Sequence, residues 1–435
     1  MITVIMLASH EAKVVEVAVQ SFRLFSDMDI SFIIVDRGIG DELRDWAVEQ
    51  ADLTYVQLDD ASVGWGKAIN MVRQELQIKT DVLIVEDKYM ITPQCLQKLT
   101  ESLYEEENIG GVCGTCSEAD SYEDAVKEAE EKSSGTKGKR AMILHYGAIL
   151  WKKEALEEFG EFEEKVESLF MIMKDYCLRM VDGDKVLIIC PDAVFWKIVN
   201  EGDEVYGKQW EEEALEYKWG MHYFNSHYNE RILSLIDIEA EEETAILEIG
   251  CDCGATLLEI KNRYPKAKVY GTEINEQAAS MASHFARVTV NNIEDMNLPF
   301  DKEMFDYIIF GDVLEHLHDP EKALKYCINY LRGEGMIIIS VPNVMHISVM
   351  EQLMQGNFSY TETGLLDKTH IHFFTCNEII RTLDRAGYEI CYLDCVNFPL
   401  SDRQKNLIDS LLTIDNTVQR FMYETFQYVI KAKKR

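Results

Sequence analysis

The sequence predicts an α/β protein with two sheets, each built from strands and helices in alternation. Three observations carry that prediction. Ile246-Leu-Glu248-Ile is an apolar strand that empties into the glycine turn Gly250-Cys-Asp252-Cys-Gly254. About twenty residues on, a second strand, Lys268-Val-Tyr-Gly-Thr-Glu273, closes on a carboxylate, the spacing by which a doubly wound sheet holds an adenosine cofactor. In the first half, apolar strands over residues 1–8, 30–36 and 81–86 alternate with a helix over 14–25, which implies a largely parallel sheet.

The glycine turn narrows the cofactor. Glycine lets the backbone approach a ligand, and a carboxylate at the tip of the second strand can accept both hydroxyls of a ribose. A dinucleotide fingerprint would place glycine at 250, 252 and 255, whereas Asp252 and Ala255 stand at the last two. Asp252 would repel a pyrophosphate where the second glycine normally admits one. S-Adenosylmethionine has no phosphate and presents a sulfonium and an α-ammonium, so an acid here is tolerated. Glu248 is then placed to hold the ammonium directly or through water. Taken alone, the same glycines also fit an ordinary strand–helix turn.

The elements that follow keep the order of one sheet. Asn291-Asn292-Ile293-Glu-Asp-Met-Asn-Leu-Pro-Phe300 reads as a third strand end, where Asn292 and Ile293 meet the adenine and its edge. Phe305-Asp-Tyr-Ile-Ile-Phe-Gly-Asp312 reads as a buried fourth strand, followed by the loop Val-Leu-Glu315-His316-Leu-His318-Asp-Pro320. Tyr330-Leu-Arg-Gly-Glu-Gly335-Met-Ile-Ile-Ile-Ser-Val-Pro342-Asn343 is a glycine turn into a fifth. This series resembles the class I S-adenosylmethionine-dependent methyltransferases, which have a Rossmann-like sheet, over about residues 226–435. Residues 310–320, 356–360, 364–370 and 372–375 are similar to methyltransferase modules found with bacterial glycosyltransferases. Asp252 and Asn291-Asn292 depart from the family's usual Gly and Gly-Asp. The resemblance implies S-adenosylmethionine held by Glu248, Gly250, Gly254, Glu273, Asn292, Ile293 and Asp312.

Methyl transfer to a hydroxyl needs alignment and then a base. Asp312, Glu315, His316 and His318 lie in the loop after the fourth strand, and His370 and His372 lie in an apolar-aromatic segment expected to fold over the same mouth. Histidine titrates near neutrality. One of His316 and His370 is expected to be the base and the other an orienting group, with Asp312 beside them. The same residues also suit helix caps or loop pins. Tyr360 and Asp367 are candidate acceptor contacts.

Ligands of parallel sheets lie beyond the carboxyl ends of the strands. In the first half Asp36, Glu86 and Asp87 fall there. Residues 35–41, 64–70, 86–93, 147–154, 159–163 and 175–179 resemble the GT-A fold of family-2 nucleotide-sugar glycosyltransferases, over about residues 1–200. That resemblance implies Asp36 reading the nucleoside, Glu86 and Asp87 at the diphosphate, and Asp87 holding Mn2+ or Mg2+ beneath a nucleotide sugar. Two parts depart from it. Met173 stands where the family's general base is expected, and Trp196 falls near the place of a metal-binding His. Lys88 beside Asp87 would also lower metal affinity. The domain is therefore read as a degenerate sugar-binding or scaffolding module, with an active transferase as the alternative.

Composition limits the partners. At 435 residues and 47% hydrophobic content the chain is long enough for two cores. The expected division is 1–200, a helical connector over 201–240 with apolar Trp210, Leu215, Trp219, Tyr223 and Ile232 packing the sheets, and 241–435. A net charge of −34 opposes nucleic acid and anionic membrane surfaces. No stretch reaches the roughly eighteen apolar residues of a membrane span. The N-terminus lacks a basic segment and reads as a buried strand rather than a signal peptide. Eleven scattered cysteines suit reduced thiols in the cytoplasm. Cys113-Gly-Thr-Cys116 has redox or half-zinc spacing without a second pair, and Lys431-Ala-Lys-Lys-Arg435 reads as a solvated tail. The resulting expectation is a cytoplasmic methyltransferase acting on a hydroxyl of a sugar or glycan precursor. A bifunctional transferase and a non-catalytic assembly factor of glycan synthesis remain the alternatives.

Overall fold

The computed structural model describes the chain apart from residues 27, 59, 61, 133–136, 145–146, 200–207, 222–225 and 416. It divides into two compact units, Met1–Tyr223 and Phe224–Arg435.

The first unit holds β1 (Ile2–Ala8), β2 (Ile30–Asp36), β3 (Leu53–Gln57), β4 (Asp81–Glu86), β5 (Tyr89–Ile91), β6 (Ile109–Ser117), β7 (Lys139–Ala141), β8 (Ala148–Trp151) and β9 (Val186–Lys197). They form one sheet in the order β3-β2-β1-β4-β8-β6-β9-β5, with β7 on β9. The four strands from β3 to β4 are parallel, as expected. Beyond them β8 runs antiparallel to both β4 and β6, so the sheet is mixed. Strand period explains the core: Ile2, Val4, Met6 and Ala8 turn one face of β1 into a single apolar cluster with Val15, Val19 and Phe22 of helix Ala12–Phe25.

Cys113 and Cys116 lie three apart on β6, which puts their side chains on opposite faces of the sheet; the pair cannot share a metal or a disulfide. The connector is divided between the units. Helix Gln209–Trp219 belongs to the first, where Glu211 accepts the backbone N–H groups of Glu167 and Ser168, and Leu215 is buried while Trp210 is exposed. Ile232 belongs to the core of the second. Residues 201–207 and Tyr223 of the expected connector lie outside the described residues.

The second unit holds β10 (Ala245–Ile249), β11 (Lys268–Glu273), β12 (Arg287–Val290), β13 (Phe305–Gly311), β14 (Leu331–Pro342), β15 (Tyr388–Asn397) and β16 (Thr425–Lys434). Their order is β12-β11-β10-β13-β14-β16-β15, parallel as far as β14 and antiparallel through β16. Both faces of β10 are covered: Ala245, Leu247 and Ile249 enter one cluster and Ile246 the other, and on β13 Phe305, Ile308 and Phe310 oppose Tyr307 and Ile309. Such two-sided burial is what the near-continuous apolar runs require. The order runs outward in opposite directions from β10 and β13, so the switch point, where ligands of open α/β sheets bind, lies between them. The basic C-terminus is not a solvated tail. β16 extends to Lys434 between β14 and β15, and Lys431 is buried with its ammonium on Asp237. No described helix is long and apolar enough to cross a membrane.

Candidate functional site

The turn after β10 brings three residues into left-handed backbone, Gly250 (φ +68°), Asp252 (φ +47°) and Gly254 (φ +86°). A Cβ on Gly254 would stand 2.9 Å from the Ala282 Cβ and 3.1 Å from its Cα, so glycine is needed for close approach. Aspartate tolerates left-handed backbone better than most residues. The Asp252 N–H donates to Glu273 Oε2 at 2.9 Å, while Ile274 and Asn275 N–H donate to Oε1 at 2.8 and 2.9 Å. Glu273 therefore pins both loops. A carboxylate offers about four lone-pair sites. The three amides leave roughly one for a ribose hydroxyl, where the sequence reading assigned two.

A cavity of about 410 Å³ opens beside this turn, lined by Glu248, Gly250, Cys251, Asp252, Ala255, Thr256, Gly311 and Asp312, and by the segment from His227 to Glu230 with Ile232. Four of these lining residues are carboxylates (Glu230, Glu248, Asp252 and Asp312), and none is Lys or Arg. Glu248 is 5% exposed and its Oε2 is buried without a hydrogen-bond partner. Burial, reinforced by the charges of Asp252 and Glu273 and only partly offset by a hydrogen bond from Thr256, raises its pKa to about 8. Asp312 takes φ +53°, and its Oδ1 accepts Gln427 Nε2 of β16 at 2.7 Å. Solvent reaches the Asp312 side chain from the cavity, yet protein surrounds it otherwise, and this desolvation holds its pKa above the usual carboxylate value.

Gly254, Glu273, Asn292 and Ile293 are not among the residues lining that cavity. Asn292 Oδ1 caps the turn Ile293–Asp295 through Glu294 N–H, and the Ile293 side chain is packed in the core. Only the backbone of Ile293 is therefore available to a base edge. The neighbouring Asn291 Oδ1 is the buried oxygen without a partner.

The two histidine segments do meet. The rings of His316 and His370 stand 4.9 Å apart, because the Glu315 carbonyl accepts both Ile371 and His372 N–H, at 2.9 and 3.0 Å. His316 Nδ1 lies 3.3 Å from the Thr369 carbonyl. His370 is buried, which lowers its pKa, as does His316 beside it. The His372 ring bonds the His318 carbonyl at 3.1 Å, and the His318 side chain is exposed. Glu315 is 1% exposed with a pKa well above normal, through burial first and then Asp312. Tyr360 is exposed at 57%, and Asp367 caps the following turn through Thr369 N–H.

In the first unit, two of the three acids expected to meet a nucleotide sugar, Asp36 and Asp87, are turned inward. Asp36 is fully buried, with Oδ1 accepting Gly38 and Ile39 N–H and Oδ2 accepting the Tyr55 hydroxyl. Asp87 is fully buried, and its oxygens take Ser9 N–H, Ser9 Oγ, His10 N–H and His10 Nδ1. Glu86 pairs with Lys88 at 2.8 Å. A metal on Asp87 does not fit this arrangement, since it would have to displace His10. At the expected base and metal-ligand positions, Met173 is buried and Trp196 donates to the Ala119 carbonyl. Asp175 is enclosed by Arg179, Lys218 and Trp219.

Two features escaped sequence reading. The segment 227–230 lines the cavity although it was read only as packing, and Asn229 at the cap of helix Glu230–Leu233 was its local signal. Glu315 was read as one loop acid among several, and only the fold reveals its burial.

A largely parallel sheet with its acidic cavity at the switch point, beside a strand-tip carboxylate, is the arrangement of the α/β proteins that bind nucleoside cofactors. Residues 220–393 match the family described as a methyltransferase domain. The chain is 25% identical over 163 residues to a malonyl-[acyl-carrier protein] O-methyltransferase of Geobacter sulfurreducens, covering 37% of this chain and 61% of that one. It is 32% identical over 101 residues to a Mycobacterium tuberculosis protein named as an S-adenosylmethionine-dependent methyltransferase, 22% of this chain and 35% of that one. A Rickettsia prowazekii protein named as a methyltransferase is 30% identical over 156 residues, 36% of this chain and 67% of that one. Through residues 220–393 the chain belongs to the class I S-adenosylmethionine-dependent methyltransferases. It spans less than two thirds of the length of the first two of these relatives.

Proposed function

We propose that the Phe224–Arg435 unit binds S-adenosylmethionine at the switch point and methylates a hydroxyl of a sugar or glycan precursor. One observation carries the cofactor half: a cavity of four carboxylates without Lys or Arg, in which Glu248 keeps a buried unpartnered oxygen. A cation removes that cost, whereas a phosphate would add to it. The bound cofactor would supply an electrophilic methyl on a sulfonium. Glu248 would take the ammonium, Gly250 and Gly254 let the backbone approach, and Glu273 accepts a ribose hydroxyl while bracing the turn. Ile293, through its backbone, and Asn292 would border the adenine, and Asp312 would face the methionine end from its strained position at the strand tip.

His316 and His370 form the acceptor side, where the hydroxyl proton must be taken up as the new bond to oxygen forms. The sugar as acceptor rests on the resemblance of residues 1–200 to GT-A glycosyltransferases, an analogy of fold. We read that unit as a sugar-binding or scaffolding module, because Met173 cannot take a proton and the oxygens of Asp36 and Asp87 are occupied internally. No disulfide joins the cysteines among the described residues, which suits a reducing compartment, and we place the protein in the cytoplasm. Native mass spectrometry of protein purified without added ligand tests this. Retained S-adenosylmethionine or S-adenosylhomocysteine is the expected result, and a retained dinucleotide would refute it.

A further inference from the structure

Glu315, His316 and His370 do more than face an acceptor. One ligand atom from each, two imidazole nitrogens and a carboxylate oxygen, lies within 4.8 Å of the other two. Both rings are already set for ligation. His316 Nδ1 faces the Thr369 carbonyl at 3.3 Å and the Thr369 hydroxyl at 3.2 Å, and because that hydroxyl donates its proton to Asp367, both oxygens accept here, which makes Nδ1 the N–H and leaves Nε2 with its lone pair. His370 bonds the Leu365 backbone through one nitrogen, while its buried Nδ1 has no partner. A backbone carbonyl on the far nitrogen is how metal-bound histidines are commonly oriented. Glu315 Oε2 is the second buried atom without a partner, on a side chain 99% withdrawn from solvent. Two unsatisfied buried atoms within one small group cost stability that a cation between them would recover.

We propose that Glu315, His316 and His370 bind a divalent transition-metal ion of the Zn2+ type. Two imidazoles and a carboxylate are a donor set for Zn2+ and its first-row neighbours, whereas Mg2+ prefers oxygen alone. Donors at about 2.1 Å from one tetrahedral ion stand roughly 3.4 Å apart, so side-chain rotations of about 1 Å close the site. The carboxylates of Asp312 and Asp367 act electrostatically on Glu315 and add to the field holding a cation. Three protein ligands leave a position for an oxygen ligand. The ion would therefore take the acceptor through its hydroxyl, whose proton is lost to solvent water more readily once the oxygen is metal-bound. The imidazoles then serve as ligands and not as free bases. The site rests on these side chains and not on the cofactor reading, so either can fail while the other stands.

The test uses the full chain, free of tags, stripped with chelator and titrated with Co2+ while its visible absorption is recorded, then with Zn2+ in competition. One equivalent of Co2+ is expected, with a d–d spectrum free of thiolate charge transfer, displaced by Zn2+. His316→Gln, an exposed position that leaves the core intact, should weaken binding by about 100-fold, as should Glu315→Gln. No stoichiometric binding, a thiolate charge-transfer band, or affinity unchanged in His316→Gln would each overturn the proposal.

Discussion

With the cofactor's ammonium on Glu248, as proposed, cofactor binding becomes a proton-releasing event. Burial, the largest cause, pushes the Glu248 carboxyl pKa up to about 8, against 4.5 for an ordinary Glu. At pH 7 most molecules therefore carry the proton. An ammonium placed beside it favours the charged form, so binding S-adenosylhomocysteine at pH 7 should release up to about one proton. Affinity should rise by up to about tenfold per pH unit between roughly pH 5 and 8 and then level off. Without ligand the sign is opposite. The unfolded carboxyl loses its proton near 4.5 and the folded one only near about 8, so folding stability falls as pH rises through that window, by a few kcal/mol at most. In Glu248→Gln both effects should vanish, and affinity should fall by about 10- to 150-fold, the worth of roughly 1.5–3 kcal/mol for a hydrogen bond to a charged group. Titration calorimetry at pH 7 in buffers of different ionisation enthalpy counts the proton. Zero release by the parent protein, or equal release by the Gln variant, would refute the ammonium assignment.

Three other outcomes follow from the structure. His370→Gln should leave S-adenosylhomocysteine affinity nearly unchanged in calorimetry and slow methyl transfer by roughly 10²–10⁴-fold, the scale of losing an acceptor-activating group. Gly254→Ala should lower the melting temperature and the cofactor affinity together, because its Cβ meets Ala282 at 2.9 Å and its φ of +86° disfavours any side chain, about 1–3 kcal/mol in all. UDP- and GDP-sugars offered with Mn2+ should be neither transferred nor hydrolysed; turnover that disappears in Asp87→Ala would restore the sugar-transfer reading.

Sequence patterns revealed what is local. The run Ala245–Ile249, its glycine turn and Glu273 were legible because strand period, left-handed turn residues and a strand-tip acid all act within a few residues. The parallel half of the first sheet was legible for the same reason. Properties set by distant chain were not. Glu315 is buried because the segment around His370 folds onto its carbonyl, and nothing in Leu-Glu-His-Leu announces that. Lys431 lies in a central strand because β15 covers it, although a basic C-terminus resembles a solvated tail. The inward turn of Asp36 and Asp87 depends on Tyr55 and His10, 19 and 77 residues away in sequence.

We propose that S-adenosylmethionine sits in this chain with Glu273 on its ribose. Calorimetric titration of the full chain with S-adenosylhomocysteine and, separately, with NAD tests it most directly, with a melting curve to show that each variant is folded. One site for S-adenosylhomocysteine, none for NAD, and affinity reduced by about 10- to 150-fold in a folded Glu273→Ala, as for a lost hydrogen bond to a charged group, are expected. Tight NAD binding, or unchanged S-adenosylhomocysteine affinity in that variant, would contradict it.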